Sequence, residues 1–195
     1  MRKIAALLLI QAFISSVSSN EKLPSGKTAD KTQRSKISII PLPEKMQEGE
    51  GVFAITAATG ISYSSPRLKG IAGYLSDLLL PATGLKLSNK LSGKTGIILK
   101  LDSSLTNLGG EGYTLRSTTD AVLISAATPA GIFYGVQTLR QLLPVQIETN
   151  QKVNNIQWTV PVVVIEDKPR FKWRGFLMDP ARHFRAKADI IKYID

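Results

Sequence analysis

No cysteine occurs among the 195 residues, and His183 is the only histidine. The first absence excludes a disulfide framework and a thiolate metal site. The second excludes any centre that needs several imidazoles. Without cysteine there is also no attachment point for a lipoprotein anchor. No Asp-Glu dipeptide occurs, and there are no internal repeats or long low-complexity tracts. After residue 20 no apolar run reaches the roughly 20 residues that a membrane span requires. What is present suits a folded chain: 43% of residues are hydrophobic and 21% charged, enough to bury a core. The length allows one domain and part of another.

The formal net charge is +10, but it is unevenly placed. Residues 1–19 read as a secretory signal. Arg2 and Lys3 form the charged start, Ile4 to Ile10 and Ala12 to Ile14 the apolar core, and Val17 and Ser19 precede a cut before Asn20. Removal of Arg2 and Lys3 leaves +8. Residues 20–36 read as a disordered polar leader; within it, Glu21 to Lys36 holds five basic and two acidic residues, a net of +3. From Asp167 to Asp195 there are eight basic and four acidic residues, a net of +4, while the middle is nearly balanced. This is solvated surface plus a tail. It is not the single basic face with interleaved aromatics that a nucleic-acid binder shows, and export argues the same way.

From Ile37 the pattern alternates between short strands and two helices. Strands are expected at Ile37–Ile40, stopped by Pro-Leu-Pro, at Val52–Thr56 and at Gly60–Tyr63. A helix follows, capped by Ser65 with Pro66 in its first position. Its face carries Leu68, Ile71, Ala72, Leu75, Leu78 and Leu79, and Pro81 is expected to stop it. Gly96–Leu101 is an apolar strand, and Gly112–Arg116 with Ala121–Ala126 forms a hairpin around Ser117 to Asp120. Thr128 and Pro129 open a second helix with the stripe Ile132, Phe133, Val136, Leu139 and Leu143, ended by Pro144. Gly131 and Gly135 lie near one side of it, which suggests close approach to a sheet or a neighbouring domain, with backbone near a ligand as the lesser alternative. Val145 to Trp158 is a polar connection, a loop or hairpin. Thr159–Ile165 closes the first domain, and Glu166 to Pro169 forms a hinge. The expected fold is α+β, a mixed or antiparallel sheet with both helices on one face, over residues 37–167.

The remaining stretch, 168–195, changes period. Gly175 to Met178 is a short apolar run stopped by Asp179-Pro180, a pattern expected of a buried strand with a loop at its end. Arg174 and Asp179 flank that run, and each needs a partner if buried. Ala188 to Asp195 then places Ile190, Ile191 and Ile194 on one helical face.

Trp173-Arg174-Gly175, Leu177-Met178-Asp179 and Arg182-His183-Phe184 together resemble the first barrel strand of glycoside hydrolase family 20, the β-N-acetylhexosaminidases. Ile39-Ile40-Pro41-Leu42-Pro43 and Gly131 to Leu139 resemble that family's small N-terminal domain, in the same order. The likeness spans roughly Ile37 to Asp195, and its last motif is the specific one. It implies that 168–195 is the first β/α unit of an incomplete (β/α)₈ barrel, a fold that needs about 250 residues.

The resemblance also implies a chemistry. In the family the 2-acetamido oxygen of the substrate is the nucleophile, an Asp orients it and an adjacent Glu is acid and base. That Asp-Glu pair is absent here, so no catalytic residue is assigned; Gly109-Gly110-Glu111 and Glu166-Asp167 have the wrong context, a loop and a hinge. Arg174 maps onto the Arg that hydrogen-bonds hydroxyls of the terminal N-acetylhexosamine, and its five fixed N–H donors can bridge vicinal oxygens. The alternative is pairing with an internal acid such as Asp179. Asp179, Arg182 and His183 sit where an active-face loop begins and are read as a structural ion pair and hydrogen bonds. Phe171 and Trp173 are read as interdomain packing. The implied partner is an N-acetylhexosamine-containing glycan, with no metal or organic cofactor, no nucleic acid and no stable membrane anchor. The alternative function is a non-catalytic carbohydrate-associated or interaction module.

Overall fold

The computed structural model describes residues 37–88, 95–179 and 181–193. The expected signal and leader, as well as Pro180, Ile194 and Asp195, lie outside them. Six strands form one mixed sheet: β1 Lys45–Ala54, β2 Gly60–Tyr63, β3 Gly96–Leu101, β4 Tyr113–Ser117, β5 Ala121–Ala126 and β6 Thr159–Asp167. Their order is β1-β6-β4-β5-β3-β2. The β1–β6, β6–β4 and β4–β5 pairs are antiparallel, whereas β5–β3 and β3–β2 are parallel.

The parallel β2–β3 pair follows from a helical crossover. Between β2 and β3 the chain forms a turn of 3₁₀ helix, Pro66–Leu68, that leads into α1, Lys69–Thr83. The Ser65 hydroxyl accepts from the Arg67 N–H, as a cap should. α1 runs through Pro81 rather than stopping there. The last turn holds without the proline donor because the Thr83 hydroxyl donates to the Leu79 carbonyl at 2.7 Å and the Gly84 N–H to Leu80 at 2.8 Å. Ala82 is also wholly buried. The helix ends at Gly84, whose φ of 69° is left-handed.

The second helix, α2, spans Pro129–Leu142, and the Thr128 hydroxyl accepts from the Gly131 N–H. α1 and α2 lie side by side over one sheet face: the Tyr74 and Phe133 rings are 5.4 Å apart, and the Gln137 amide donates to the Tyr74 hydroxyl at 3.0 Å. Phe133 therefore sits on the outer flank of α2, partly exposed, not in its buried stripe. Beneath the helices Ile61, Ile97, Leu99, Leu115, Ile124 and Ile165 are fully buried. A Cβ on Gly135 would collide with the Ile124 side chain, and one on Gly131 with Ala126 and the Gly112 backbone. Both glycines thus serve close approach of helix to sheet.

Four other expectations are corrected. Ile37–Ile40 is not a strand; Pro41 and Pro43 supply no donors, and the Gln141 amide instead takes the Ile40 N–H at 2.9 Å and donates to its carbonyl at 3.0 Å. β1 begins at Lys45, seven residues before the apolar run, because it is an edge strand built from polar residues, joined to β6 by a Lys45–Glu166 ion pair of 2.6 Å. Glu166 and Asp167 belong to β6, so the hinge starts later. Gly175 to Met178 forms no strand: no described strand pairs with it, and Leu177 is 90% exposed. The following helix, α3, is the short Lys187–Ile191.

Candidate functional site

Pro161 interrupts the β6 donors, and the Ser117 hydroxyl repairs the gap. It donates to the Pro161 carbonyl and accepts from the Val163 N–H at 2.9 Å. That repair lets β6 run on beside β4 to Asp167, whose register partner is Tyr113. The Tyr113 hydroxyl is hydrogen-bonded to Thr138 of α2 and donates to Asp167 Oδ2 at 3.4 Å.

Tyr113 is pushed up to about 12 by burial, with the Asp167 carboxylate adding to the shift and the Thr138 bond opposing it. The unfolded phenol titrates near 10. The neutral form is therefore favoured by folding, and the stability it lends is complete below pH 10 and lost as pH rises toward 12. Denaturant unfolding followed from pH 9 to 12 should show this fall, with a shallower fall in Tyr113→Phe.

Beyond Asp167 the chain meets α2 through Arg174 and Tyr134. Together with Ile40 and Leu42 it borders a cavity of about 620 Å³, which Glu111, Tyr134, Gln137, Phe171 and Arg174 also line. Arg174 is tied on three sides: Nη1 donates to the Phe171 carbonyl at 2.7 Å, and Nη2 donates to Glu111 Oε2 at 2.7 Å and to the Tyr134 hydroxyl at 3.4 Å. The guanidinium carbon stands 5.9 Å from the Tyr134 ring centre, within cation–π range. The Arg174 partner is Glu111, not Asp179. Periodicity could not have found this pair, because 63 residues separate the two. Glu111 does lie in a loop before a strand, as expected. The Thr128 hydroxyl steadies that loop by donating to the Gly110 carbonyl.

Asp179 meets Arg182, Oδ2 to Nε at 3.8 Å, and its Oδ1 accepts from the Ala181 N–H at 2.9 Å. Both side chains are exposed, so this pair contributes little. His183 is also exposed and is not brought to Arg174. Phe171, Trp173, Phe176 and Leu177 are 64, 91, 72 and 90% exposed. Among the described residues no three His, Asp or Glu side chains gather as a metal site, and no helix is long and apolar enough to cross a membrane.

Residues 36–168 match the family model for glycosyl hydrolase family 20, domain 2. A β-hexosaminidase of Porphyromonas gingivalis is 40% identical over 162 residues, 82% of this chain and 21% of that protein. A β-N-acetylhexosaminidase of Cellulomonas fimi is 32% identical over 159 residues, 79% of this chain and 30% of that protein. In structure, the chain resembles the Streptomyces plicatus N-acetyl-β-hexosaminidase solved with Thio-NAglucal, with a TM-score of 0.70, 39% identity, and 80% of this chain and 31% of that one covered. The chain belongs to glycosyl hydrolase family 20. It spans between about a fifth and a third of the length of these relatives.

Proposed function

We propose that this chain supplies the α+β domain and the opening β/α unit of the barrel of an exported β-N-acetylhexosaminidase, an enzyme that removes terminal β-linked N-acetylhexosamine from glycans. The observation that carries this reading is the match of residues 36–168 to the family's domain 2, with Arg174 six residues beyond it. Arg174 binds sugar hydroxyls in this reading, and the boundary between the two parts falls near residue 168. Export rests on the charged and apolar pattern of residues 1–19.

Substrate-assisted hydrolysis places the work on the 2-acetamido oxygen, an orienting Asp and an acid–base Glu. The sequence holds no dipeptide in the order Asp-Glu. The purified chain should therefore leave a chromogenic N-acetyl-β-glucosaminide at its uncatalysed rate. A graft of residues 36–195 onto the part of the Porphyromonas gingivalis β-hexosaminidase that this chain does not span should hydrolyse it. Turnover by the chain alone, or a folded graft that binds no N-acetylhexosamine, contradicts the proposal.

A further inference from the structure

Past Asp167 no ladder holds the chain: none of residues 168–174 belongs to a strand or helix. Side chains hold it instead, at two points, and the same two elements serve both. Glu111 and Tyr113 stand at the entry to β4, and Tyr134 and Thr138 lie one turn apart on α2. At the near point the Asp167 carboxylate accepts from the Glu44 N–H at 3.1 Å and from the Tyr113 hydroxyl at 3.4 Å. That hydroxyl is in turn bonded to Thr138, and Lys168 adds an ion pair with Glu44 at 3.7 Å. At the far point Arg174 Nη2 reaches Glu111 and Tyr134. Between the two, Lys168 and Phe171 line the cavity.

The two points differ in kind. Tyr113 and Thr138 are only 3 and 6% exposed, and salt screens buried contacts little. The Arg174 and Glu111 side chains are 42 and 39% exposed. An ion pair in such a place holds weakly and loosens as salt rises. We propose that residues 168–174 form a hinged strap. It pivots at Asp167, where the Tyr113–Thr138 pair fixes it to the sheet and α2, and the Glu111–Arg174 pair is a releasable latch at its other end. Closed, the strap walls one side of the cavity. Released, it widens the cavity mouth and lets the chain beyond Arg174 change direction against the α+β domain. The inference goes beyond the enzymatic reading and needs no ligand on Arg174.

The full chain has no cysteine, so spin labels can be placed at Ala130→Cys on α2 and Lys172→Cys on the strap, both exposed. Pulsed dipolar spectroscopy then reads the distance between them. At low salt the distribution should be narrow. In about 1 M NaCl, or with Glu111→Gln, a longer-distance population should grow about two- to fivefold. Asp167→Ala should broaden the whole distribution at either salt, and Tyr113→Phe should do so to a smaller degree. Unchanged methyl signals of Leu115 and Ile124 would show that the fold is intact. If Asp167→Ala disturbs them, Thr138→Val, which removes only the hydroxyl behind Tyr113, takes its place. A distribution that ignores both salt and Glu111→Gln removes the latch. One that Glu111→Gln broadens as fully as Asp167→Ala does removes the pivot, since the two ends would then be alike. A broad distribution in the unsubstituted strap at low salt overturns the proposal as a whole.

Discussion

Alanine at Gly131 should lower the melting temperature by about 10 °C or more. A Cβ there would stand 2.7 Å from the Ala126 Cβ and nearer still to the Gly112 carbonyl oxygen. Neither neighbour is the far end of a flexible side chain. Relief would have to come from moving α2 off the sheet, and with it Ile132, Val136 and Leu139, all fully buried. Overpacking a close-packed site costs about 1–3 kcal/mol and sometimes more, here against a total stability of about 5–15 kcal/mol. Gly73→Ala is the control. Nothing lies within 4 Å of its added Cβ, so alanine in that helix interior should gain up to about 1 kcal/mol. Calorimetry of the two variants separates an effect of contact from one of helix propensity. A neutral Gly131→Ala would mean that α2 does not lie against the sheet as closely as described.

In the graft onto the Porphyromonas gingivalis β-hexosaminidase, Arg174→Ala should lower kcat/KM for a chromogenic N-acetylglucosaminide by about 100-fold. Hydrogen bonds from a charged donor contribute about 1.5–3 kcal/mol each, and two of them are at stake. Arg174→Lys should recover little, because an ammonium cannot span two acceptors as a planar fork does. Loss confined to KM would mean that the contact is equal in the ground and transition states; loss in kcat would mean that it strengthens as the bond breaks. A kcat/KM within a factor of about three of the unsubstituted graft, a difference below about 1 kcal/mol, would remove Arg174 from the site.

The elements legible in the sequence are those with strong punctuation. Gly60–Tyr63 and Gly96–Leu101 are apolar runs opened by glycine, and both are strands with those bounds. Thr128-Pro129 and Pro144 bracket α2, and its two glycines mark its close side. Where tertiary structure overrides local preference, the reading fails. Pro81 sits inside α1 because burial of Ala82 and a glycine cap hold the last turn. The charged start of β1 is a strand because β6 offers it an edge. Gly175 to Met178 has the composition of a strand, but a strand is made by its partners and none is present among the described residues. The site divides in the same way. The motif resemblance singles out Arg174 but says nothing of Glu111 and Tyr134, since only the fold brings them to it.

Amide hydrogen exchange of the monomeric full chain tests most directly that a finished α+β domain is followed by the opening of a second unit. Amides of β3, β4, β5 and β6 should be strongly protected, with opening energies that approach the global stability. Those of Phe171 to Asp179 should exchange near the rate of an unfolded peptide, since no described strand pairs with them. Strong protection across Gly175 to Asp179 would contradict the account, because the segment would then already possess a stable partner surface within this chain.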